Sequence, residues 1–412
     1  MCKLNPAICF FLLIFITTRV ESQIIRQLGY FNVNGVLSLS SKTNLLVTGI
    51  GQIIDISDPG TPKLTGTVNR PLYDSAVLVD GDYAYFGTSG IAQLIITDIS
   101  HPDSPVVIGS KLFPRYYGGS IYGLAKSSNV IYLAMGVDGV FSVDITDKTK
   151  PVVLDSIAIP NGQARDIVTQ GNFAYVAHFD GLKVIDISDP KNLMLVASIG
   201  TAFNSIDINN NLVFLGKHSP GFMSMDSGGF DIINISNPKA PAPVFSMTNI
   251  NGVSWDIKYR NNLIYLATDN SGLYIYKFDH SAAVEKAHFP NIGNGQSFAV
   301  CLQDSLIYLS GLINGIAVLK YDSLGTVYIN EKTDIGQLTF SPNPAKDYID
   351  LRQNNENIHT IEITTLNGQS VLKEKSKSTT DRIDISGLAA GNYIVSFKSK
   401  TKQWSQKLIK TE

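Results

Sequence analysis

The chain of 412 residues has little cysteine and little charge. Of its three cysteines, Cys2 and Cys9 lie in an N-terminal apolar segment, so only Cys301 remains beyond that segment. A disulfide within the rest of the chain is therefore excluded, and stability must come from packing. Charged residues make up 17% of the chain, and its net charge is -2. This balance argues against nucleic acid as a partner.

Glutamate and long apolar runs are also scarce. The chain has 7 Glu against 28 Asp, together with 34 Gly, 18 Tyr and 19 Phe. Because glutamate favours helices whereas aspartate and glycine favour turns, this composition indicates strands and turns. The longest apolar run, residues 8–16, is far shorter than the ~20 residues that a membrane-spanning helix needs.

The first 22 residues have the features of a secretory signal peptide. Lys3 supplies a positive start, residues 8–16 form the apolar part, and residues 17–22 are a polar exit. Small residues favour cleavage between Ser22 and Gln23. We therefore expect an exported mature chain without a membrane span; an N-terminal membrane anchor is the alternative.

One pattern recurs seven times between the two ends of the chain. Its marker residue follows an apolar strand, most often within Asp-Ile-Ser, and the markers are spaced by 43, 46, 42, 48, 43 and 43 residues. The markers are Asp55, Asp98, Asp144, Asp186, Asn234, Lys277 and Lys320. Each repeat holds four short strands whose apolar residues alternate with a period of two, which excludes helical repeats. The sequence predicts an all-β fold with a seven-bladed β-propeller at residues 23–322.

The ends of the repeat region indicate how the ring closes. The last repeat has three clear strands and no convincing fourth, while residues 24–31 form an apolar strand with no repeat before it. We predict that this N-terminal strand completes the last blade.

The segment at residues 164–190 resembles the LVIVD repeat. It reads ARDIV, then GNFAYVA, then GLKVIDISDP, and the resemblance covers residues 24–322. It weakens in the last two repeats, where Lys277 and Lys320 replace the marker aspartate. The resemblance implies a secreted or surface β-propeller of bacteria or archaea, from a family with no general enzymatic activity.

The C-terminal tail differs in charge and in pattern. Residues 337–412 carry a net charge of +3 and contain SPNPAKDYIDL, ITTLNGQSVL and IDISGLAAGNYIVSF in that order. These motifs, with Ser341, Pro342, Asn343, Pro344, Gly391 and Tyr393, resemble the type A C-terminal sorting domain of the Bacteroidota type IX secretion system. The resemblance implies a small β-sandwich at 337–412, joined by a linker at 323–336. The alternative is an ordinary terminal sandwich.

The sorting resemblance also implies a route and a partner. It implies Sec export to the periplasm, followed by recognition by the type IX secretion machinery and passage across the outer membrane. The product would be a secreted or cell-surface protein.

Two aspartates stand out among the residues expected to line the central channel. Equivalent positions in the seven repeats hold Ser38, Ala76, Gly123, Asp166, Ser205, Asp256 and Ala299. Asp166 and Asp256 could bind a cation or divide the acid and base roles of glycoside cleavage. They could equally accept backbone N–H groups between blades, and both readings stay open here.

A binding surface is predicted around the same channel mouth. Tyr122, Arg165, Asp207 and Trp255 flank the channel positions, and two interruptions of the repeat place Tyr116 and Phe222 in loops. Aromatic residues together with arginine are common in binding surfaces. We therefore expect an unknown protein or glycan ligand.

No catalytic motif and no metal-ligand spacing supports an enzyme. The six histidines are scattered, and nucleophile-elbow, zinc-protease and phosphate-loop motifs do not occur. The sequence favours a non-catalytic binding protein that needs no cofactor and no metal. A polysaccharide-acting enzyme that uses Asp166 and Asp256, or a structural component of the surface layer, are the alternatives.

Overall fold

The computed structural model describes most of the chain beyond the predicted signal peptide. The described ranges are 23–69, 76–113, 119–218, 228–292, 296–313, 315–323, 339–352, 360–365, 369–375, 380–398 and 403–411. Within these ranges every regular element is a β-strand, so the all-β prediction is confirmed. The chain divides into two compact units, Ile25–Asp322 and a second that contains the described part of Ser323–Glu412.

The larger unit consists of four-stranded antiparallel sheets that follow one another along the chain. Their first strands are β2 (Leu39–Lys42), β6 (Ala76–Asp80), β10 (Gly123–Ser127), β14 (Ala164–Gln170), β18 (Phe203–Asn209), β22 (Ser254–Arg260) and β26 (Ser297–Gln303). Their second strands are β3 (Leu45–Thr48), β7 (Tyr83–Gly87), β11 (Val130–Ala134), β15 (Phe173–His178), β19 (Leu212–Lys217), β23 (Leu263–Thr268) and β27 (Leu306–Gly311).

The third and fourth strands complete the same sheets. The third strands are β4 (Gln52–Asp55), β8 (Gln93–Asp98), β12 (Val140–Asp144), β16 (Gly181–Asp186), β20 (Gly228–Asn234), β24 (Gly272–Phe278) and β28 (Ile316–Ser323). The fourth strands are β5 (Lys63–Thr67), β9 (Val106–Leu112), β13 (Val152–Ile157), β17 (Met194–Ile199), β21 (Ala242–Ile250), β25 (Ala283–Phe289) and, for the last sheet, β1 (Gln23–Phe31). The last sheet has the order β1-β28-β27-β26, so its outer strand comes from the N-terminus.

Tight turns define one end of these sheets. Two residues join each first strand to the second strand, and residues such as Thr43, Gly81, Asn210 and Asp304 have a positive φ there. Such turns match the right-handed twist of the strands, and Asn, Asp and Gly accept this conformation most readily. We call this end the turn face. The opposite end, where second strands connect to third strands, is the loop face.

In the first five sheets the repeated marker residue stabilises a turn at the end of the third strand. The Asp55 carboxylate accepts the Ser57 backbone N–H at 2.9 Å, and Asp186 accepts that of Ser188 at 3.0 Å. Hydrogen bonds from Ser188 lower the pKa of Asp186 below its ordinary value. The Asp-Ile-Ser signature is therefore a side-chain cap on the connection to the fourth strand.

The hydrophobic core lies between neighbouring sheets. One apolar cluster joins Val47 of the first sheet to Phe86 of the second. Another joins Leu46 of the first sheet to Tyr308 and Val318 of the last. Period-two strands bury residues on both faces where a sheet packs between two neighbours.

The C-terminal unit has two sheets around a core of its own. One sheet contains β29 (Thr339–Ser341), β30 (Tyr348–Arg352) and β33 (Thr380–Asp384). The other contains β31 (Thr360–Thr365), β32 (Ser370–Glu374), β34 (Gly391–Lys398) and β35 (Gln403–Lys410). Ile349 and Ile383 from one sheet pack with Val395 and Leu408 from the other, which is the arrangement of a small sandwich. The predicted domain boundaries, including the linker 323–336, stay predictions.

Candidate functional site on the first strands and the loop face

Three aspartates hydrogen-bond neighbouring sheets to one another. Asp166 on β14 accepts the backbone N–H of Ile206 on β18 at 3.1 Å. Asp207 on β18 accepts that of Tyr259 on β22 at 2.7 Å, and Asp256 on β22 accepts that of Val300 on β26 at 2.9 Å. Because every donor lies on the next sheet along the chain, these carboxylates connect four consecutive sheets.

The second carboxylate oxygens of Asp166 and Asp256 are occupied as well. Oδ1 of Asp166 accepts the Ile167 N–H at 2.9 Å, and Oδ1 of Asp256 accepts the Ile257 N–H at 2.9 Å. A general base or nucleophile needs a free oxygen that faces its substrate. The geometry therefore favours the structural reading of both aspartates.

Lys258 supplies the positive charge between these aspartates. Its Nζ lies 2.9 Å from Oδ1 of Asp256, and its side chain is 31% exposed. Burial opposes the charged form of Lys258, but attraction to Asp256, Asp207 and Asp166 outweighs burial and raises the pKa of the lysine. We call Lys258, Asp166, Asp207 and Asp256 the carboxylate–lysine cluster.

Burial changes the ionisation of two of these acids. It raises the pKa of Asp166 to about 6; the nearby Asp256 adds to this increase and Lys258 opposes it. Burial also raises the pKa of Asp207. One lysine thus incompletely compensates three carboxylates at neutral pH.

The small residue at position 123 follows from the same close packing. A Cβ atom on Gly123 would lie 2.7 Å from the Cα atom of Asp166 and 2.8 Å from its Oδ1. Since β10 and β14 approach this closely, only glycine fits without moving one of the strands.

Four consecutive sheets share an irregularity at the loop-face end of the first strand. The register with the second strand shifts between Ala164 and Asp166, and the equivalent shift recurs on β18, β22 and β26. The extra residues of these β-bulges are Arg165, Asn204, Trp255 and Phe298. Bulges redirect side chains out of the normal alternation and are common next to functional sites.

These bulge residues form a continuous series with Tyr122, which lies next to β10. We call Tyr122, Arg165, Asn204, Trp255 and Phe298 the rim arc. The Arg165 guanidinium carbon lies 4.0 Å from the centre of the Tyr122 ring, and the Trp255 and Phe298 ring centres are 4.8 Å apart. Asn204 donates a long hydrogen bond of 3.4 Å to the carbonyl oxygen of Ser254.

Further rings extend the rim arc. Arg165 also lies 5.3 Å from the centre of the Phe179 ring, which stacks on His218 at 4.1 Å with an interplanar angle of 13°. Burial lowers the pKa values of Arg165 and His218. Arg165 has no carboxylate within ion-pair distance in the described ranges.

The two ends of the sheets differ in polarity. On the loop face, Ile91, Tyr122, Val137 and Ile313 are 52%, 36%, 42% and 62% exposed, respectively. The two-residue turns of the turn face consist of Asn, Asp, Gly, Ser and Thr. Apolar side chains are also exposed where fourth strands begin, as at Val106 and Val152, so this contrast is confined to the connections among the first three strands.

The sequence identified part of this surface. It singled out Tyr122, Arg165 and Trp255, and the structure brings Arg165 and Tyr122 into contact. It missed Asn204, Phe298 and Lys258. The residue preceding each of the seven channel positions would have revealed Asn204 and Phe298, because that position holds a large side chain in five consecutive repeats.

Some predicted site residues lie outside the described ranges. These residues are Tyr116, Phe222 and Ser22, the last of which precedes the predicted signal cleavage. Gln23, on the other side of that cleavage, is the first residue of β1.

The sorting-motif residues lie at the start and near the end of the C-terminal unit. Ser341 ends β29, and Pro342 and Pro344 follow cis peptide bonds. The Asn343 side-chain oxygen accepts the Ile409 N–H at 2.9 Å, which ties the motif to β35. Gly391 begins β34, and the Tyr393 hydroxyl donates to the Ala389 carbonyl at 2.8 Å.

Neither a metal site nor a membrane span is visible in the described ranges. They contain no group of three or more His, Cys, Asp or Glu side chains placed to hold a metal ion. They also contain no helix long and apolar enough to cross a membrane.

Comparison with protein families confirms both resemblances. LVIVD repeats match residues 52–70, 74–112, 161–201 and 224–249. The secretion system C-terminal sorting domain matches residues 339–411. The chain therefore contains LVIVD repeats and a type IX sorting domain, and it is exported to the cell surface or beyond. No curated protein matches the chain.

Two solved structures resemble the chain at low sequence identity. A chain of the mitotic checkpoint complex has a TM-score of 0.56 and 11% identity, over 78% of this chain and 97% of that chain. The extracellular domain of a hybrid two-component system from B. thetaiotaomicron has a TM-score of 0.50 and 13% identity, over 92% of this chain and 57% of that chain. Both similarities concern the fold alone.

Proposed function

We propose that residues 23–322 form a closed seven-bladed propeller, with the N-terminal strand β1 as the outer strand of the last blade. Each first strand contacts the first strand of the next sheet, and β26 contacts β2. At that last junction Ser41 donates to Gln303 at 3.0 Å, across 262 residues of sequence. The cluster around Leu46 and Tyr308 fills the same junction. These contacts support a ring without an open sheet edge between first and last blade.

This propeller binds a ligand at its loop face and has no catalytic function. The rim arc is the observation that carries this proposal, because four bulges in succession redirect large side chains toward one end of the first strands. The hydrogen bonds of Asp166 and Asp256 support the absence of catalysis, since their oxygens already hold backbone N–H groups.

Export prepares the propeller for a ligand outside the cell. The sorting domain recruits the type IX secretion machinery. Residues 1–22 act as the signal peptide that first brings the chain to the periplasm. The ligand is then a component of the cell envelope or of the surroundings.

Binding and turnover measured on the same preparation test this proposal. The chain from Gln23 to Glu412 is mixed with isolated cell envelopes and, separately, with a panel of chromogenic glycosides. We expect saturable sedimentation with the envelopes and no release of chromophore. Turnover that Asp166→Asn or Asp256→Asn abolishes would establish the enzyme instead, and absence of both binding and turnover would favour a structural component.

A further inference from the structure

The chemistry of the rim arc identifies the class of its ligand. Trp255 and Phe298 form one aromatic pair, and Phe179, which lies near Arg165, forms another with His218. Flat aromatic faces bind rings that carry apolar C–H surfaces. Their placement on separate sheets gives several similar platforms in succession, which suits a ligand that is itself a chain of rings.

Polar atoms beside these rings lack hydrogen-bond partners. Within the described ranges, no partner is found for Nε1 of Trp255, Oδ1 of Asn204, Oγ of Ser205 or Nδ1 of His218. Asn204 and Ser205 are only 6% and 2% exposed. A buried polar atom without a partner has lost its hydration without compensation, so a ligand group that pairs with it gains binding free energy.

The unpaired atoms include both donors and acceptors. The Trp255 N–H can only donate, the Asn204 carbonyl oxygen can only accept, and a serine hydroxyl does both. A hydroxyl group on a ligand satisfies any of these atoms, whereas a carboxylate would satisfy the donors alone. The guanidinium of Arg165, fixed between Tyr122 and Phe179, adds further donors.

We propose that the rim arc binds a saccharide chain, with a sugar ring stacked on the Trp255 indole, whose plane is inclined by 52° to the neighbouring Phe298 ring, and its hydroxyl groups paired with Trp255 and Asn204. Because these atoms are buried in the free protein, the proposal requires the side chains that cover them to move when the saccharide binds. This inference rests on the proposed binding function and specifies its ligand. A protein ligand, which would cover the exposed Ile91 and Ile313 rather than pair with the buried polar atoms, is the competing outcome.

Affinity electrophoresis tests the saccharide directly. The chain from Gln23 to Glu412 is run through gels that contain laminarin, xylan, soluble starch, polygalacturonate or chondroitin sulfate. We expect at least one polysaccharide to slow the wild type, and Trp255→Ala or Phe298→Ala to raise the dissociation constant at least tenfold. Trp255→Phe, which keeps an aromatic face, should lose less affinity than Trp255→Ala.

A matched control separates loss of binding from loss of fold. Tyr83 on β7 is another partly buried aromatic, placed next to the turn at residues 81–82, so Tyr83→Ala should bind like the wild type. Thermal melts of all variants show which of them fold. No retardation by any of the five polysaccharides, or equal retardation of Trp255→Ala and wild type, would overturn the proposal.

Periodate oxidation distinguishes this inference from the broader proposed function. Periodate cleaves sugar diols and leaves the peptide backbone intact, so we expect treated envelopes to lose the binding that untreated envelopes show. Binding that survives both periodate oxidation and digestion with a β-1,3-glucanase, which removes the 1,3-linked glucans that lack vicinal diols, would overturn the saccharide but leave the binding function in place. Absence of binding to untreated envelopes would overturn both.

Discussion

Lys258 shows how a single charge determines the energetics of the first strands. Three carboxylates connect consecutive sheets by accepting backbone N–H groups. Their negative charges stabilise the charged form of Lys258 and so raise its pKa. Removal of one partner from a buried ionic cluster lowers the free energy of unfolding by more than the whole cluster adds to it, because the remaining charges stay buried without an opposite charge.

Replacement of this lysine should therefore destabilise the fold. For Lys258→Met we expect the free energy of unfolding to fall by about 2–3 kcal/mol, which allows for the 31% exposure of the side chain. Urea denaturation gives the value. Lys277→Met, an exposed position on β24, serves as control and should change stability by less than about 0.5 kcal/mol. Equal denaturation midpoints for both variants would contradict this account.

The raised pKa of Asp166 predicts a particular dependence of stability on pH. Since the folded pKa of about 6 exceeds the ordinary 3.8, the native state binds the proton more tightly than the unfolded state between these values. Stability from this group is thus present below pH 4 and is lost as the pH rises through 6.

Comparison with Asp166→Asn isolates this contribution. From pH 4 to pH 7, the wild type should lose about 1–3 kcal/mol of unfolding free energy relative to the variant. Urea denaturation at each pH provides the measurement, and Asp103→Asn makes the same chemical change at an exposed site. Parallel pH profiles of wild type and Asp166→Asn would show that burial does not perturb this carboxyl.

At the residue scale, the sequence predicts where a residue lies in its repeat better than it predicts which side chains that residue contacts. The repeat alignment placed Asp166 and Asp256 at equivalent points, because the repeat spacing carries that information. It could not reveal that Lys258 lies beside Asp256, since that contact depends on where side chains of neighbouring strands point. The bulges at Arg165 and Trp255 were equally invisible, because one extra residue in a strand leaves the apolar pattern almost unchanged.

At the scale of elements, β1 provides an outer strand from the far end of the chain. It lies beside β28, where Arg26 forms an ion pair with Asp322 and Ile25 packs on the last interface. The sequence predicted this role for β1 because the last repeat has only three clear strands and residues 24–31 form a strand that belongs to no preceding repeat. Counting strands is informative here because every sheet of the repeat region contains four strands.

Deletion of residues 23–32 should consequently destabilise the whole repeat region. Without β1, the edge of β28 is exposed and Ile25 and Phe31 leave their clusters. We expect the melting temperature to fall by about 10 °C or more in differential scanning calorimetry. Arg26→Ala, which removes only the exposed ion pair, should shift it by no more than about 2 °C. An unchanged melt of the deletion would disprove closure by β1.

At the scale of the whole molecule, sequence motifs identify both units but indicate a function for the sorting domain alone. Ser341-Pro342-Asn343-Pro344 and the order of the following strands identify the sorting domain, which family comparison confirms. The LVIVD repeats likewise predict the repeated sheets, but they carry no ligand information. Ligand contacts come from positions that vary between repeats, so the rim arc emerges only when the repeats are assembled.

The sorting domain should decide where the protein accumulates. A chain without residues 337–412 lacks the segment that the secretion machinery recognises, so we expect it to remain in the periplasm. Cell fractionation followed by immunoblotting measures the distribution. Normal surface delivery of the truncated chain would refute the assignment of export to this segment.

The central claim is that the loop face, and not the turn face, binds the ligand. The most direct test compares envelope binding of two double variants, Tyr122→Ala/Trp255→Ala on the loop face and Lys42→Ala/Asp82→Ala, which removes an exposed ion pair, on the turn face. We predict at least a tenfold loss of affinity for the first and wild-type affinity for the second. Equal affinities, or a loss confined to the turn-face variant, would contradict the account.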